Sequence, residues 1–358
     1  MTGLEFNARV NAIPVYPAAS TYAFDGDLVK LASNETPFAP HPQVLEAVES
    51  QLRTLNRYPD PAKATLRRRL SDRTGVSPER IAVGNGSCEL LLAGAEAMLE
   101  PGAEVVYAWS SFSIYPHLAA MTGARAIEVP LNDAQEHNLD AIAKEVTAAT
   151  RMVIVCNPNN PTATALPPAA LDEFLKALPR NVAVILDEAY IEFCMTQDPD
   201  ESLDLLKKHP NLLVLRTFSK VYGLCGLRVG YALGSEEFRL AVDRVRQPFS
   251  VNALAQAAAT EALNHMDEVE RRVEQTAIER IHVETELEER GFPTTESQAN
   301  FSWVSLGDRD EGEVVDGLAQ QGVIVRAGAA LGQEGWMRVT YGSRHENDRF
   351  LAALDQLT

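Results

Sequence analysis

The chain has no long apolar run, no closely spaced cysteines, and too few basic residues to balance its acids. Its four cysteines, Cys88, Cys156, Cys194 and Cys225, lie far apart over 358 residues, with no CxxC pair and no His/Cys metal-ligand spacing. That argues against a disulfide scaffold or a metal site and for buried free thiols in a reducing cytoplasm. Lys and Arg number 32 against 50 Asp and Glu, a net charge of -18 that disfavours non-specific binding to nucleic acid or to an anionic membrane surface. The opening residues, MTGLEFNARVNAIPVYPAAS, carry Glu5 and Arg9 among their apolar side chains, so no signal-peptide core is expected there. No later stretch approaches the length of a membrane span, and no low-complexity tract or fixed-period repeat occurs.

What is present is enough apolar residue, 46%, for a sizeable core, in a chain long enough to divide into a large and a small domain. Residues 1–30 lack helical or strand period and read as an arm packed on something else. The segments HPQVLEAVESQLRTL, TLRRRLSDRTG and CELLLAGAEAMLEPG read as helices, the last two stopped by Gly75 and by Pro101 with Gly102. Six short apolar runs follow (VVYAW, RAIEVPL, RMVIVC, VAVILD, LLVLRT and RVGYALG), with helical stretches between several of them. This alternation predicts an α/β fold with a mainly parallel sheet covered on both faces, whose ligands sit at the carboxyl ends of the strands. From about Val251 a long helical stretch reads as a connector, and FSWVSL, VIVRAG and MRVTYG read as strands of a smaller α+β domain. The expected division is an arm over 1–30, a large domain over 31–248, and a connector with a small domain over 249–358.

The residues with chemical meaning fall at the ends of those runs. Lys220 follows LLVLRT, Asp187 ends VAVILD, and Arg228 stands eight residues beyond the lysine. Alone, each has an ordinary reading: a solvated loop lysine, a strand-end acid, a surface arginine. Together they are the charges that grip pyridoxal 5'-phosphate at its aldehyde, ring nitrogen and phosphate. A Schiff-base lysine must be able to lose its proton, and Arg228 with partial desolvation is expected to lower the pKa of Lys220. Tyr190 and Asn160 are placed to bond the ring's phenolic oxygen. Gly84, Gly86 and Ser87, with Cys88 behind them, open a helix whose first N–H groups suit a phosphate, joined by Thr217, Ser219 and Arg228.

The motifs LASNETPFAP, NRYPD, VGNGSCELL, SFSIYP, CNPNNPT, LDEAYIEF, LRTFSKVYGLCGLRVGYALG, SQANFSWV, GVIVRAG and MRVTYG run nearly end to end. In them the chain resembles the fold-type I, class I/II aminotransferases, and most of all the histidinol-phosphate aminotransferase family. The resemblance implies that Lys220 holds the cofactor and shuttles the substrate's alpha proton, Asp187 pairs with the ring nitrogen, and Asn160 and Tyr190 hold the phenolic oxygen. It implies that Phe112 lies against the ring and that Gly86, Ser87, Ser219 and Arg228 bind the phosphate. Tyr58 would reach the phosphate from a second subunit, which makes the enzyme a homodimer. Arg338 and Arg326 would meet the substrate's anionic group, with Tyr16 and Asn34 on the substrate side. The partners are then an amino donor and a 2-oxo acid such as 2-oxoglutarate.

Three departures from the family pattern bear on the substrate. NNPTAT has Ala163 where glycine is usual, the arm IPVYPAAS lacks the common glycine and basic residue, and SNET replaces SNEN. These, with WSSFSIYP, resemble the aromatic or phenylalanine aminotransferases within the same family, so histidinol phosphate and an aromatic L-amino acid both stand as substrates. A decarboxylase or lyase of the threonine-phosphate decarboxylase type would use the same cofactor cup. A non-catalytic PLP-binding regulator fits less well, because no basic helix-turn-helix pattern precedes residue 30.

Overall fold

The computed structural model describes Gly3, residues 6–13 and residues 26–357. Tyr16 therefore lies outside the described residues. The strands are β1 Val29–Lys30, β2 Ile81–Gly84, β3 Glu104–Trp109, β4 Arg125–Pro130, β5 Thr150–Cys156, β6 Ala183–Asp187, β7 Leu212–Thr217, β8 Gly230–Leu233, β9 Phe301–Ser305, β10 Val323–Ile324, β11 Arg326–Ala327 and β12 Trp336–Thr340. Seven of them form one sheet in the order β2-β8-β7-β6-β5-β3-β4, in which only β8 runs antiparallel to its neighbours.

The apolar runs are continuous because both faces of this sheet are covered. In β5, Val153 and Val155 enter one core cluster while Met152, Ile154 and Cys156 enter the other, and in β6 Val184 and Leu186 part from Ile185 in the same way. A period of two thus serves two cores. The strand order turns back between β3 and β5, so the carboxyl ends there diverge and leave a crevice.

A smaller antiparallel sheet, β11-β12-β9, and the parallel pair β1-β10 share a third core with Phe292, Leu318 and Phe350. Val29 and Leu31, at the junction between the expected arm and large domain, pack into this third core. VIVRAG, read as one strand, is two: β10 pairs with β1, and β11 pairs with β12. The long connector is also two helices, Ala253–Ala262 and Met266–Glu289. They separate at Asn264 and His265, where His265 stacks on His41 with centroids 4.0 Å apart. The first of the pair buries Ala255, Ala258, Ala259 and Ala262, a face small enough to lie closely against the helix Pro42–Leu52. β2 falls outside the expected strands, since IAVG is too short to carry a period. Among the described residues no helix is long and apolar enough to cross a membrane.

Beside the crevice, a buried ion pair ties β6 to β7. Arg216 Nε meets Glu188 Oε2 at 2.9 Å, its Nη1 meets Asp200 Oδ1 at 3.1 Å, and Ser202 donates to Glu188 at 3.0 Å. Glu188→Ala leaves this guanidinium buried with less than its full set of acceptors. We expect a loss of about 3 to 5 kcal/mol in urea unfolding, and a loss below about 1 kcal/mol would show that the pair does not hold the strands.

Candidate active site

The carboxyl ends of β5, β6 and β7 and the loop after β3 open into one cavity of about 380 Å³ at the point where the strand order reverses. Its wall includes Ser87, Cys88, Phe112, Asn160, Asp187, Tyr190, Thr217, Ser219, Lys220 and Arg228. Residues separated by up to 195 positions in the chain, Ser33 to Arg228, are brought together here.

Lys220 is half-buried, and its Nζ donates to the Ser33 carbonyl at 3.0 Å and stands 5.6 Å from the centroid of the Tyr190 ring. Burial lowers its pKa to about 8, and the Arg338 guanidinium acts in the same direction. The charge that lowers it most is that of Arg338 in β12, where the sequence suggested Arg228. Arg228 is committed elsewhere: its Nη1 donates to the Cys225 carbonyl at 2.9 Å and to Ser219 Oγ at 3.4 Å.

Asp187 is 2% exposed, and its Oδ2 accepts from the Tyr115 hydroxyl at 2.9 Å while Oδ1 has no partner among the described residues. Burial pushes this carboxyl up to about 6, against the pull of the Tyr115 hydrogen bond and the Ala189 N–H. Tyr115 is itself fully buried in the wall behind the cavity. Sequence reasoning missed it; the only signal was a tyrosine three residues after Phe112, which gave no hint that its hydroxyl reaches the end of β6.

A chain of donors orients the next pair. Arg338 Nη1 donates to Asn160 Oδ1, which leaves the Asn160 amide group as a donor toward the cavity. Asn34 Nδ2 donates to the Tyr190 oxygen at 3.0 Å, so the Tyr190 proton is free to be given elsewhere. Asn34 is buried behind Tyr190 rather than on the cavity wall. It is fixed by Thr340, whose Oγ1 accepts from Asn34 N at 2.9 Å and donates to Asn34 Oδ1 at 3.1 Å. Its φ of 54° is a left-handed conformation that asparagine tolerates better than most residues.

At the other end of the cavity, Gly86 (φ 79°) precedes the helix Ser87–Met98, whose first turn has no capping side chain. A Cβ at Gly86 would stand 2.5 Å from Arg228 Nη2, so only glycine lets the guanidinium close over this helix start. Ala163, in the place where glycine is usual, does adopt a left-handed φ of 61°.

The remaining expected residues lie apart. Arg326 stands directly opposite Arg338 across the β11–β12 ladder, which puts both on one face of the small sheet, but it does not line the cavity. Tyr58 is 82% exposed, stacks on Phe249 at 4.5 Å, and is likewise absent from the cavity wall of its own chain.

Residues 26–354 match the family model described as aminotransferase class I and II. The chain belongs to that family. It is 41% identical over 356 residues to an aromatic amino acid aminotransferase of Streptomyces coelicolor, covering 99% of this chain and 98% of the relative. It is 45% identical over 345 residues to one from Thermobifida fusca, covering 96% of this chain and 94% of the relative. Among solved structures, histidinol-phosphate aminotransferase from Sinorhizobium meliloti with pyridoxal-5'-phosphate superposes with a TM-score of 0.90 at 29% identity, over 98% of this chain and 97% of that one. The enzyme is a pyridoxal 5'-phosphate-dependent aminotransferase, and its site fits that cofactor. The bare Asp187 oxygen calls for a cationic N–H, Lys220 supplies an amine of lowered pKa, and the Gly86–Arg228 cradle suits a phosphate.

The sign of the Lys220 shift is testable. With its pKa near 8, about a tenth of the amine is neutral at pH 7, and the rate of cofactor capture by apoenzyme should rise with pH through about 8. Arg338→Met removes a positive charge, raises that pKa, and should move the midpoint to higher pH. Rapid-mixing absorbance from pH 6 to 9 reads this, and an unchanged midpoint would show that Arg338 does not act on Lys220.

Proposed function

We propose that the enzyme transfers the amino group of an aromatic L-amino acid to a 2-oxo acid such as 2-oxoglutarate. The observation that carries the reading is the cavity wall, where Lys220, the bare Asp187 oxygen and the donor pair Asn160 and Tyr190 converge. When bound, pyridoxal 5'-phosphate supplies an aldehyde and an electron sink that stabilises negative charge at the substrate's alpha carbon. The protein does the rest. Asp187 would pair with the ring nitrogen and keep it protonated, a stabilisation that grows as the alpha proton leaves. Lys220 takes that proton and returns it, and a lowered pKa suits a base working near neutral pH. Asn160 and Tyr190 would hold the phenolic oxygen, Gly86, Ser87, Ser219 and Arg228 would hold the phosphate with Thr217 and Cys88 beside them, and Phe112 would pack on the ring. Arg338, just behind Asn160, draws in the substrate carboxylate.

The relatives named aromatic amino acid aminotransferases support the aromatic substrate. Charge does not separate the two substrates, since Arg338 behind Asn160 would meet the carboxylate of one or the phosphate of histidinol phosphate. The structural likeness to a histidinol-phosphate aminotransferase keeps that substrate as the competing reading. We expect kcat/KM for phenylalanine or tyrosine to exceed that for histidinol phosphate by at least about tenfold, that is, by about 1.4 kcal/mol in the transition state. The reverse order would overturn the aromatic assignment. Lys220→Ala should abolish transfer, and carbon dioxide release in place of 2-oxo-acid-dependent transfer would mark a decarboxylase.

The enzyme works as a cytoplasmic homodimer in which Tyr58 completes the partner's phosphate cup. The free thiols fit a reducing compartment. Tyr58 is exposed beside exposed Leu52 and Leu55, an apolar patch of the kind that dimers cover. Mixing Lys220→Ala with Tyr58→Ala chains after partial unfolding and refolding should restore up to about a quarter of wild-type activity, since one intact site forms per hybrid dimer. Mixed chains as inactive as either parent would place Tyr58 outside the shared site.

A further inference from the structure

A second cavity of about 430 Å³ lies between β7, β8 and the first turns of the helix Met266–Glu289, and it shares no lining residue with the catalytic cavity. Its charges are balanced differently from those of the first, whose lining has two cations, Lys220 and Arg228, and two acids, Glu35 and Asp187. Two arginines line it, but both are spent: Arg73 Nη1 pairs with Asp200 Oδ2 at 2.6 Å, and Arg216 pairs with Glu188 and Asp200. Glu192, Glu270 and Glu274 also line it and make no ion pair among the described residues. The wall therefore presents net negative charge.

Two tyrosines, Tyr222 and the 3%-exposed Tyr231, also line it, and their rings give it the aromatic surface on which an organic cation packs. Met266, Val269 and Val273 form the apolar side. An inorganic cation would find too few oxygen ligands among these residues, and an anion would meet the glutamates. We propose that this cavity binds a small organic ammonium ion, its charge facing Glu192 and its apolar body packed on Met266, Val269 and Val273 beside the tyrosine rings.

Burial pushes the Glu192 carboxyl up to about 7, Arg216 and Arg73 pull it down, and Glu188 adds to the rise. The other titratable groups around it are Cys194, Tyr222, Tyr231, Glu270 and Glu274. An ammonium ion prefers the ionised acid, so affinity should increase with pH, by up to about tenfold from pH 6 to pH 8.

The test is isothermal titration of the holoenzyme with benzyltrimethylammonium, whose quaternary nitrogen cannot form an imine in the catalytic site, and with benzyl alcohol as the neutral control. Saturable binding of the cation, at least about tenfold weaker in Glu192→Gln, and little binding of the alcohol are expected. The exposed pair Glu270→Gln and Glu274→Gln, combined in one chain, serves if the Glu192 variant does not fold, and should weaken binding about threefold. No saturable heat from the wild type, equal affinity in the folded glutamine variants, or equal binding of the alcohol would each overturn the proposal.

Discussion

Asp187 ends a fully buried strand with one carboxylate oxygen held by Tyr115 and the other held by no group among the described residues, and the rest of the site is arranged around that imbalance. A carboxyl whose folded pKa is raised from 3.8 to about 6 binds a proton that the unfolded chain has already released, so its ionised form lowers the stability of the cofactor-free protein as pH rises through that window. The shift corresponds to about 3 kcal/mol. A cationic ring nitrogen against the bare oxygen would reverse the sign. The same low-polarity surroundings that make the lone carboxylate costly would make such an interaction strong.

Tyr115 matters in this arrangement because it occupies one oxygen and leaves the other. It also links the loop after β3 to the end of β6, so the wall that carries Phe112 and the acid move as one. Arg338 does a comparable job from the small sheet. It bonds Asn160 and the Ala32 carbonyl, and its charge lowers the pKa of Lys220. The smaller sheet thus reaches Lys220 through the charge of Arg338, and any shift of that sheet against the large one would change how readily Lys220 gives up its proton.

The two cavities differ in which charges are already neutralised. In the catalytic cavity Lys220 and Arg228 form no ion pair among the described residues, whereas in the second one Arg73 and Arg216 are bound to Asp200 and Glu188 and the glutamates are left over. Sequence inspection cannot make that distinction, since Glu188 and Glu192 sit four residues apart in the same motif and only Glu188 pairs with an arginine among the described residues.

Much of the fold is readable because continuous apolar runs of five to seven residues can only be strands covered on both faces, and because Asp187, Asn160 and Lys220 fall at their ends. Those positions are set by local order along the chain, and so the candidate set is legible in the residues alone. What the sequence could not show depended on contacts between distant segments. It missed the Tyr115–Asp187 bond across 72 positions, the placing of Asn34 behind Tyr190 across 156, and the action of Arg338 rather than Arg228 on Lys220. It also merged the helices Ala253–Ala262 and Met266–Glu289, whose break depends on packing against the helix Pro42–Leu52 and on the His41–His265 stack. The sequence by itself determined which groups are candidates for the chemistry, because residue type and strand ends suffice for that. The tertiary structure decided which oxygen stays bare and which charge tunes the lysine, because hydrogen bonds and Coulomb interactions act through space and follow distance rather than chain order.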